Sequence, residues 1–469
     1  MASPRLDAGS FRDREGRVFY HQGRVLRALS RHALEAFDTL AATGFYARAE
    51  DGGRVVATRR VDFPAELLEE LSEHWAAVLE HDRIPFVSYP YEWSFSMLRD
   101  AALLELELLR SALGEDMVLK DASAYNVQWQ GARPVFIDVA SFEPWTPGDP
   151  WVGYLQFCQH FLYPLLLTAY RDVAFQPWLR GSLEGIDAED VNRLFGWRDR
   201  LRPGVLTDVY LQARLQAAHS RAEASGSLRN ELRRAGFRKE MIVRNVERLE
   251  KIVRGLRWRR ASSQWASYSQ DCSYDAGERE LKERFVEDAA RRLSPDLVWD
   301  LGCNTGDYSC RVAAHAGYVV ALDGDHLAVD RLYRRLAADG PPNVLPLCND
   351  LTDPSPALGW RHSERRTLSE RGRPDLVLCL ALVHHLVLTA NVPVPEVLDW
   401  LAGLGRHLVL ELVTLEDPMA QRLVRNKGGA HHPYGTELFE TELAHRFSVL
   451  EQAEIQSGLR RLYLLESRA

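Results

Sequence analysis

Residues 296 to 325 read DLVWDLGCNTGDYSCRVAAHAGYVVALDGD. A short apolar run, Leu297 to Leu301, meets a glycine turn, Gly302-Cys303-Asn304-Thr305-Gly306. A helical stretch from about Asp307 to His315 follows, and then a second apolar run, Tyr318 to Leu322, that ends in Asp323. This order predicts strand, turn, helix and strand, the unit from which nucleotide-binding α/β sheets are wound. Glycine lets the backbone turn sharply and approach a ligand closely. An acid after the second strand is placed to accept hydrogen bonds from ribose hydroxyls. From about residue 265 onward, short apolar runs keep alternating with helical ones, so the expected fold class is α/β with a Rossmann-like sheet.

The turn favours one ligand over another. A dinucleotide site uses G-x-G-x-x-G, so that a pyrophosphate rests on a helix N-terminus. Here the spacing is D-x-G-x-x-x-G, with Asp300 in the strand. A carboxylate there repels pyrophosphate and suits a cationic amino group. On these residues, 265–469 resembles the class I S-adenosylmethionine-dependent methyltransferases; a nucleotide-binding fold with another ligand is the alternative. The resemblance implies a seven-stranded sheet with helices on both faces and S-adenosyl-L-methionine as cofactor. Asp300, Gly302, Cys303, Asn304 and Gly306 match the cofactor loop, and Asp323 matches the ribose-binding acid. Asp350, in Asn349-Asp350-Leu351, matches the acid that meets the adenine amino group. Pro374 to Leu380 matches the fourth strand and His407 to Leu412 the fifth. Asn304 stands where many members have glycine, and asparagine tolerates a left-handed backbone. Tyr268 and Tyr274 precede a helix expected from about Glu278 to Leu293. The resemblance implies that this segment lies over the cofactor pocket; the alternative is that the tyrosines pack on the helix.

Methyl transfer is an in-line displacement from a sulfonium, so the protein has to supply orientation and, for some acceptors, a base. In this fold the end of the fourth strand faces the reactive methyl. There the chain reads Leu380-Ala381-Leu382-Val383-His384-His385-Leu386. It lacks the Asn/Asp-Pro-Pro-Tyr sequence of enzymes that methylate exocyclic amines of bases. His384 and His385 are the candidate catalytic residues, because a neutral imidazole removes a proton from a hydroxyl near pH 7. The alternative is a structural cap on the strand. His431-His432 has no acid or cysteine at ligand spacing, so no metal is expected. Tyr434 is a candidate for the acceptor pocket.

The N-terminal part carries a second pattern. Residues 117–145 read MVLKDASAYNVQWQGARPVFIDVASFEPW, preceded by a helix from about Ser96 to Ala112. Asp121 and Asn126 lie five residues apart, and a strand–turn–strand leads to Asp138. This resembles the catalytic segment of protein-kinase-like and aminoglycoside-phosphotransferase-like folds, in which such residues act as base and metal ligands. By position they are Asp121, Asn126 and Asp138, a possible nucleotide- or metal-like site. No glycine-rich phosphate loop appears near the start, and the first lysine in the chain is Lys120. The expectation is a degenerate, kinase-like α+β scaffold that recognises the acceptor; the alternative is an unrelated domain in which Asp121 and Asp138 cap turns. The expected organisation is 1–180 for this domain, 181–264 for a helical connector and 265–469 for the methyltransferase domain. The phrases Tyr91 to Phe95, Leu119 to Ser123, Tyr125 to Gln128, Phe136 to Asp138 and Asp300 to Gly306 resemble a bacterial methyltransferase family that includes host-specificity nodulation proteins.

Composition removes other classes. The 469 residues carry a net charge of −8, which argues against nucleic acid as a partner. The basic connector, Arg229 to Arg260, mixes acids among its arginines and has few aromatic residues for stacking. The most apolar stretch, Val152 to Tyr170, is broken by Gln156, Gln159, His160 and Pro164, whereas a bilayer span needs about 20 mostly apolar residues. Six scattered cysteines without a CxxC pair and an N-terminus without an apolar core point to the cytoplasm. The leading expectation is a methyltransferase acting on a small molecule, a sugar or a protein, with the oligomeric state left open. The competing one is a regulatory protein that binds cofactor without turnover, and a third is a bifunctional phosphotransferase.

Overall fold

The computed structural model describes residues 5–62, 74–219, 238–260, 262, 276–426, 432–455 and 458–468. The chain divides into two compact units. One comprises Met1–Trp129, Pro134–Arg260 and Ala357–Arg365; the other comprises Gln130–Arg133, Ala261–Pro356 and Arg366–Ala469. No helix among the described residues is long and apolar enough to cross a membrane.

The N-terminal unit is built on an antiparallel sheet of β1 (Arg5–Leu6), β2 (Gly16–His21), β3 (Arg24–Leu29), β4 (Thr58–Val61) and β5 (Ala77–His81), in the order β1-β2-β3-β5-β4. Gln22 and Gly23 close the β2–β3 hairpin, both with positive φ. Such a two-residue turn matches the twist of the strands it joins. Phe19, Leu26, Ala28 and Val78 form the core on one sheet face. The helix Phe95–Leu113 starts at Ser94, whose hydroxyl accepts from the Met97 amide, a cap worth about 1 kcal/mol. Against it packs the helix Lys239–Gly255. That helix buries Ile242, Val246, Leu249 and Val253, the three- and four-residue spacing of an amphipathic face. It therefore belongs to the body of this unit. Two small antiparallel pairs follow the long helix: β6 (Met117–Leu119) with β9 (Phe142–Pro144), and β7 (Val127–Gln130) with β8 (Arg133–Phe136). They hold Asp121, Asn126 and Asp138 on the turns between them.

The C-terminal unit has the seven-stranded sheet and the α/β class expected. Its strands are β10 (Leu297–Leu301), β11 (Tyr318–Asp323), β12 (Val344–Cys348), β13 (Leu376–Cys379), β14 (His407–Val413), β15 (Phe447–Ile455) and β16 (Arg460–Ser467). The order is β12-β11-β10-β13-β14-β16-β15. The first five run parallel, and β16 enters antiparallel between β14 and β15. β12 and β13 are buried at every position and β10 at all but its first residue. Near-continuous apolar runs are what a sheet covered on both faces requires. Strand order reverses at β10, with β11 on one side and β13 on the other. The loops leaving those strands diverge there and open a crevice at their carboxyl ends.

Candidate active site

The crevice is a cleft of about 920 Å³ in the C-terminal unit. Asp300, Gly302, Cys303, Asn304, Asp323, Asp350 and His385 all line it. Gly302 and Gly306 take left-handed conformations at φ +75, and Asn304 does so at φ 50, as its side chain permits. A Cβ on Gly302 would lie 3.3 Å from Leu382, and one on Gly306 would lie 2.5 Å from Leu332. The turn is thus fixed both by backbone conformation and by lack of room.

Two carboxyls converge on this turn. Asp300 is buried, and the Ser309 hydroxyl donates to it at 2.5 Å from the first helical turn. Asp323, at the end of β11, accepts the Asn304 amide and the Asp325 amide, each at 2.7 Å. Burial pushes both acids up to about 6; Ser309 opposes the shift at Asp300, and the two amides oppose it at Asp323. Asp350 lies exposed at the rim, accepting from the Thr352 amide and hydroxyl.

The two adjacent histidines separate. After β13 the chain passes Ala381 at φ 50 and winds into a π-helical turn, His385–Thr389, a form frequent at functional sites. His385 lines the cleft; His384 is fully buried, with neither ring nitrogen hydrogen-bonded among the described residues. Burial, and after it Arg460, lowers His385 to about 4. His384 is lowered further by burial, His385, Arg460 and Lys282, so both rings are neutral near pH 7.

Some residues at the site were not visible to sequence reading. Lys282 lines the cleft and donates to Glu411 at 2.6 Å. Glu411 also accepts from Arg460 at 3.1 Å, and Arg460 donates to Asp417 at 2.9 Å. All four are buried, so two cations are matched by two anions. An isolated lysine on an amphipathic helix carries no signal of such a partner, and Glu411 sits inside an apolar strand run. Tyr434 is buried and donates to the Val413 carbonyl at 2.6 Å. Tyr268, Tyr274 and His431 lie outside the described residues.

In the N-terminal unit, Asp138 is ion-paired with Arg27 of β3 and accepts from the Ser141 hydroxyl. Burial pushes Asp138 upward, but Arg27 and Ser141 outweigh it and hold the carboxyl below its ordinary range. Asp121 is raised by burial and by Asp138, and Asn126 reaches its carbonyl at 3.4 Å. Glu105, on the long helix, is fully buried and raised by burial and Asp121. Among the described residues no group of three or more His, Cys, Asp or Glu side chains could hold a metal ion. Arg27 is the group that a search for an upstream lysine passes over.

No protein-family model matches the chain. Solved structures to which it is similar include the N-methyltransferase NodS from Bradyrhizobium japonicum WM9, at 13% identity over 42% of this chain and 99% of that one, with a TM-score of 0.30. Magnesium protoporphyrin IX methyltransferase (ChlM) from Synechocystis PCC 6803 is similar at 19% identity over 43% and 92%, with a TM-score of 0.30. The bifunctional kinase-methyltransferase WbdD is similar at 18% over 43% and 41%, also with a TM-score of 0.30. At these scores none of the three bears on what this chain does. Over 465 residues, the chain is 34% identical to the nodulation protein NoeA of Rhizobium meliloti (strain 1021), covering 98% of this chain and 95% of that one. With that identity over nearly the whole of both, the chain belongs to the family of the nodulation protein NoeA.

Proposed function

We propose that the chain is an S-adenosylmethionine-dependent methyltransferase and that its C-terminal cleft is the site of transfer. The observation that carries this is the convergence of Asp300 and Asp323 on a left-handed glycine turn at the strand-order reversal. Two carboxyls whose ionisation is resisted by burial call for a positive group and hydroxyl donors. That donor set fits the cofactor: Asp300 toward its amino group, Asp323 toward the ribose hydroxyls and Asp350 toward the adenine edge. The cofactor, when bound, would supply a methyl group on a sulfonium, to which an acceptor lone pair bonds in line while the sulfur leaves as a neutral thioether.

The chain's own residues do the rest. Ser309 holds Asp300 in place, and the Asn304 and Asp325 amides fix Asp323, so neither acid must reorganise on binding. His385 presents a neutral ring to the cleft. With its pKa lowered to about 4, it is a weak proton sink. It accepts a hydrogen bond from the acceptor's O–H or N–H and turns the lone pair toward the reacting carbon. His384, sealed beneath, supports the loop. The N-terminal unit aids acceptor recognition; the Arg27–Asp138 ion pair supports that reading over phosphoryl transfer.

Calorimetry with S-adenosylmethionine tests the assignment: saturable binding in the wild type and its loss in Asp323→Ala are expected. No binding by the wild type would sink it. Once an acceptor is in hand, His385→Ala should lower kcat by about tenfold to hundredfold while cofactor affinity stays unchanged.

A further inference from the structure

A second cleft, of about 840 Å³, lies wholly in the N-terminal unit. It opens where the helices Tyr163–Arg171 and Lys239–Gly255 end, and its lining includes Arg171, Arg202, Arg257, Arg259 and Arg260. Helix C-termini draw cations to their free carbonyls, and two of the five do this work. Arg202 donates to the Tyr170 carbonyl at 2.9 Å, and Arg257 donates to the Leu256 carbonyl at 2.8 Å. Capping does not account for the others.

The charge does not cancel. Asp199, itself nearly buried, is shared by Arg171 at 3.5 Å and Arg202 at 3.4 Å. Asp172 on the cleft wall accepts the Trp258 indole N–H at 2.6 Å. Arg259 and Arg260 have no partner among the described residues. Among the described residues, five guanidinium groups against two carboxylates leave a surplus of three positive charges around one concavity. Three of the five are already pinned, Arg171 and Arg202 by Asp199 and Arg257 by a carbonyl, so little side-chain freedom is lost when an anion arrives. Guanidinium groups bind phosphate and sulfate oxygens in pairs. The surplus is gathered in a cleft of small-molecule size, in a chain whose net charge is −8. That is the signature of a compact ligand, not of a long polyanion.

We infer that this cleft binds a small polyanion with adjacent phosphate or sulfate groups, distinct from the ligand of the C-terminal cleft. Inorganic pyrophosphate is the probe, titrated calorimetrically into the full chain at low ionic strength, with sulfate as the singly substituted control. Saturable binding is expected, weaker at higher salt and tighter than for sulfate at equal ionic strength. Arg259→Gln with Arg260→Gln removes two exposed charges that have no partner among the described residues, and should weaken pyrophosphate binding about tenfold. Urea unfolding of the same variant reports on folding of the N-terminal unit and should match the wild type; S-adenosylmethionine binding, in the other unit, should not change. Three results would overturn the inference: no pyrophosphate binding at millimolar concentration, equal binding by the double variant, or sulfate binding as tightly. A single-stranded RNA binding more tightly than pyrophosphate would also overturn it, because the surface would then track an extended backbone.

Discussion

Each of the two acid sites of this chain holds a carboxyl raised by burial, but only the N-terminal one holds a carboxyl paired with a guanidinium. Asp300 and Asp323 face a cleft and are raised to about 6 because burial outweighs the donors around them. Asp138 is held below its ordinary range because Arg27 already answers its charge. A carboxylate that lacks a protein cation is available to a ligand; one that has a guanidinium on it is occupied. The spacing of acids along a chain therefore locates a candidate site, and the cation across the fold decides whether it is open.

The largest effect expected at the open site comes from Gly302→Val. A β-branched residue at φ +75 is strained, and its side chain would press on Leu382. S-Adenosylmethionine affinity should fall by more than about a hundredfold, roughly 2.7 kcal/mol, as measured by calorimetry. At the closed site, Arg27→Met should cost about 2 kcal/mol of stability near pH 7, because it leaves Asp138 beside Asp121 without its guanidinium. Adding Asp138→Asn should recover most of that loss in urea unfolding. An additive double variant would show that the two residues do not act as a pair.

pH sharpens the same contrast. Asp300 and Asp323 rise from 3.8 to about 6 on folding. The folded chain thus keeps protons that the unfolded chain releases between about pH 4 and 6, and these two acids cost stability as pH rises through that window. Asp138 has the opposite sign: its contribution is present above its unfolded value and is lost as pH falls through its lowered one. A cationic ligand needs the carboxylates ionised. S-Adenosylmethionine affinity should therefore weaken about tenfold between pH 7.5 and pH 5 if one of the pair must be charged. A flat profile would mean that neither acid meets a positive group.

The C-terminal fold was legible because its signals are local. The glycine turn, the acid after β11 and the apolar runs of β10 and β13 lie within short windows, and Asn304 adopts the left-handed backbone its type allows. The fourth strand is Leu376–Cys379, shorter than the run Pro374 to Leu380 suggests, although Asp375 still donates to the Leu297 carbonyl and accepts from the His407 amide. What escaped was long-range. Arg27 meets Asp138 across 111 residues and Lys282 meets Glu411 across 129. No periodicity connects such partners, and both pairs decide what the acids around them can do.

His384 and His385 make the smallest and most local version of this point. Adjacent in sequence, they are distinguished by one helical turn, which gives His385 to the cleft and seals His384 in the core. A buried ring with neither nitrogen bonded within the described fold gains nothing from its polarity, and an apolar side chain of similar volume replaces it at little cost. His384→Leu should keep stability within about 1 kcal/mol of the wild type and leave cofactor affinity unchanged, whereas His385→Ala should slow turnover. If His384→Leu abolished turnover with binding and melting intact, the buried ring would be passing a proton to its neighbour. The chemistry would then run through the pair, and not through the histidine that faces the cleft.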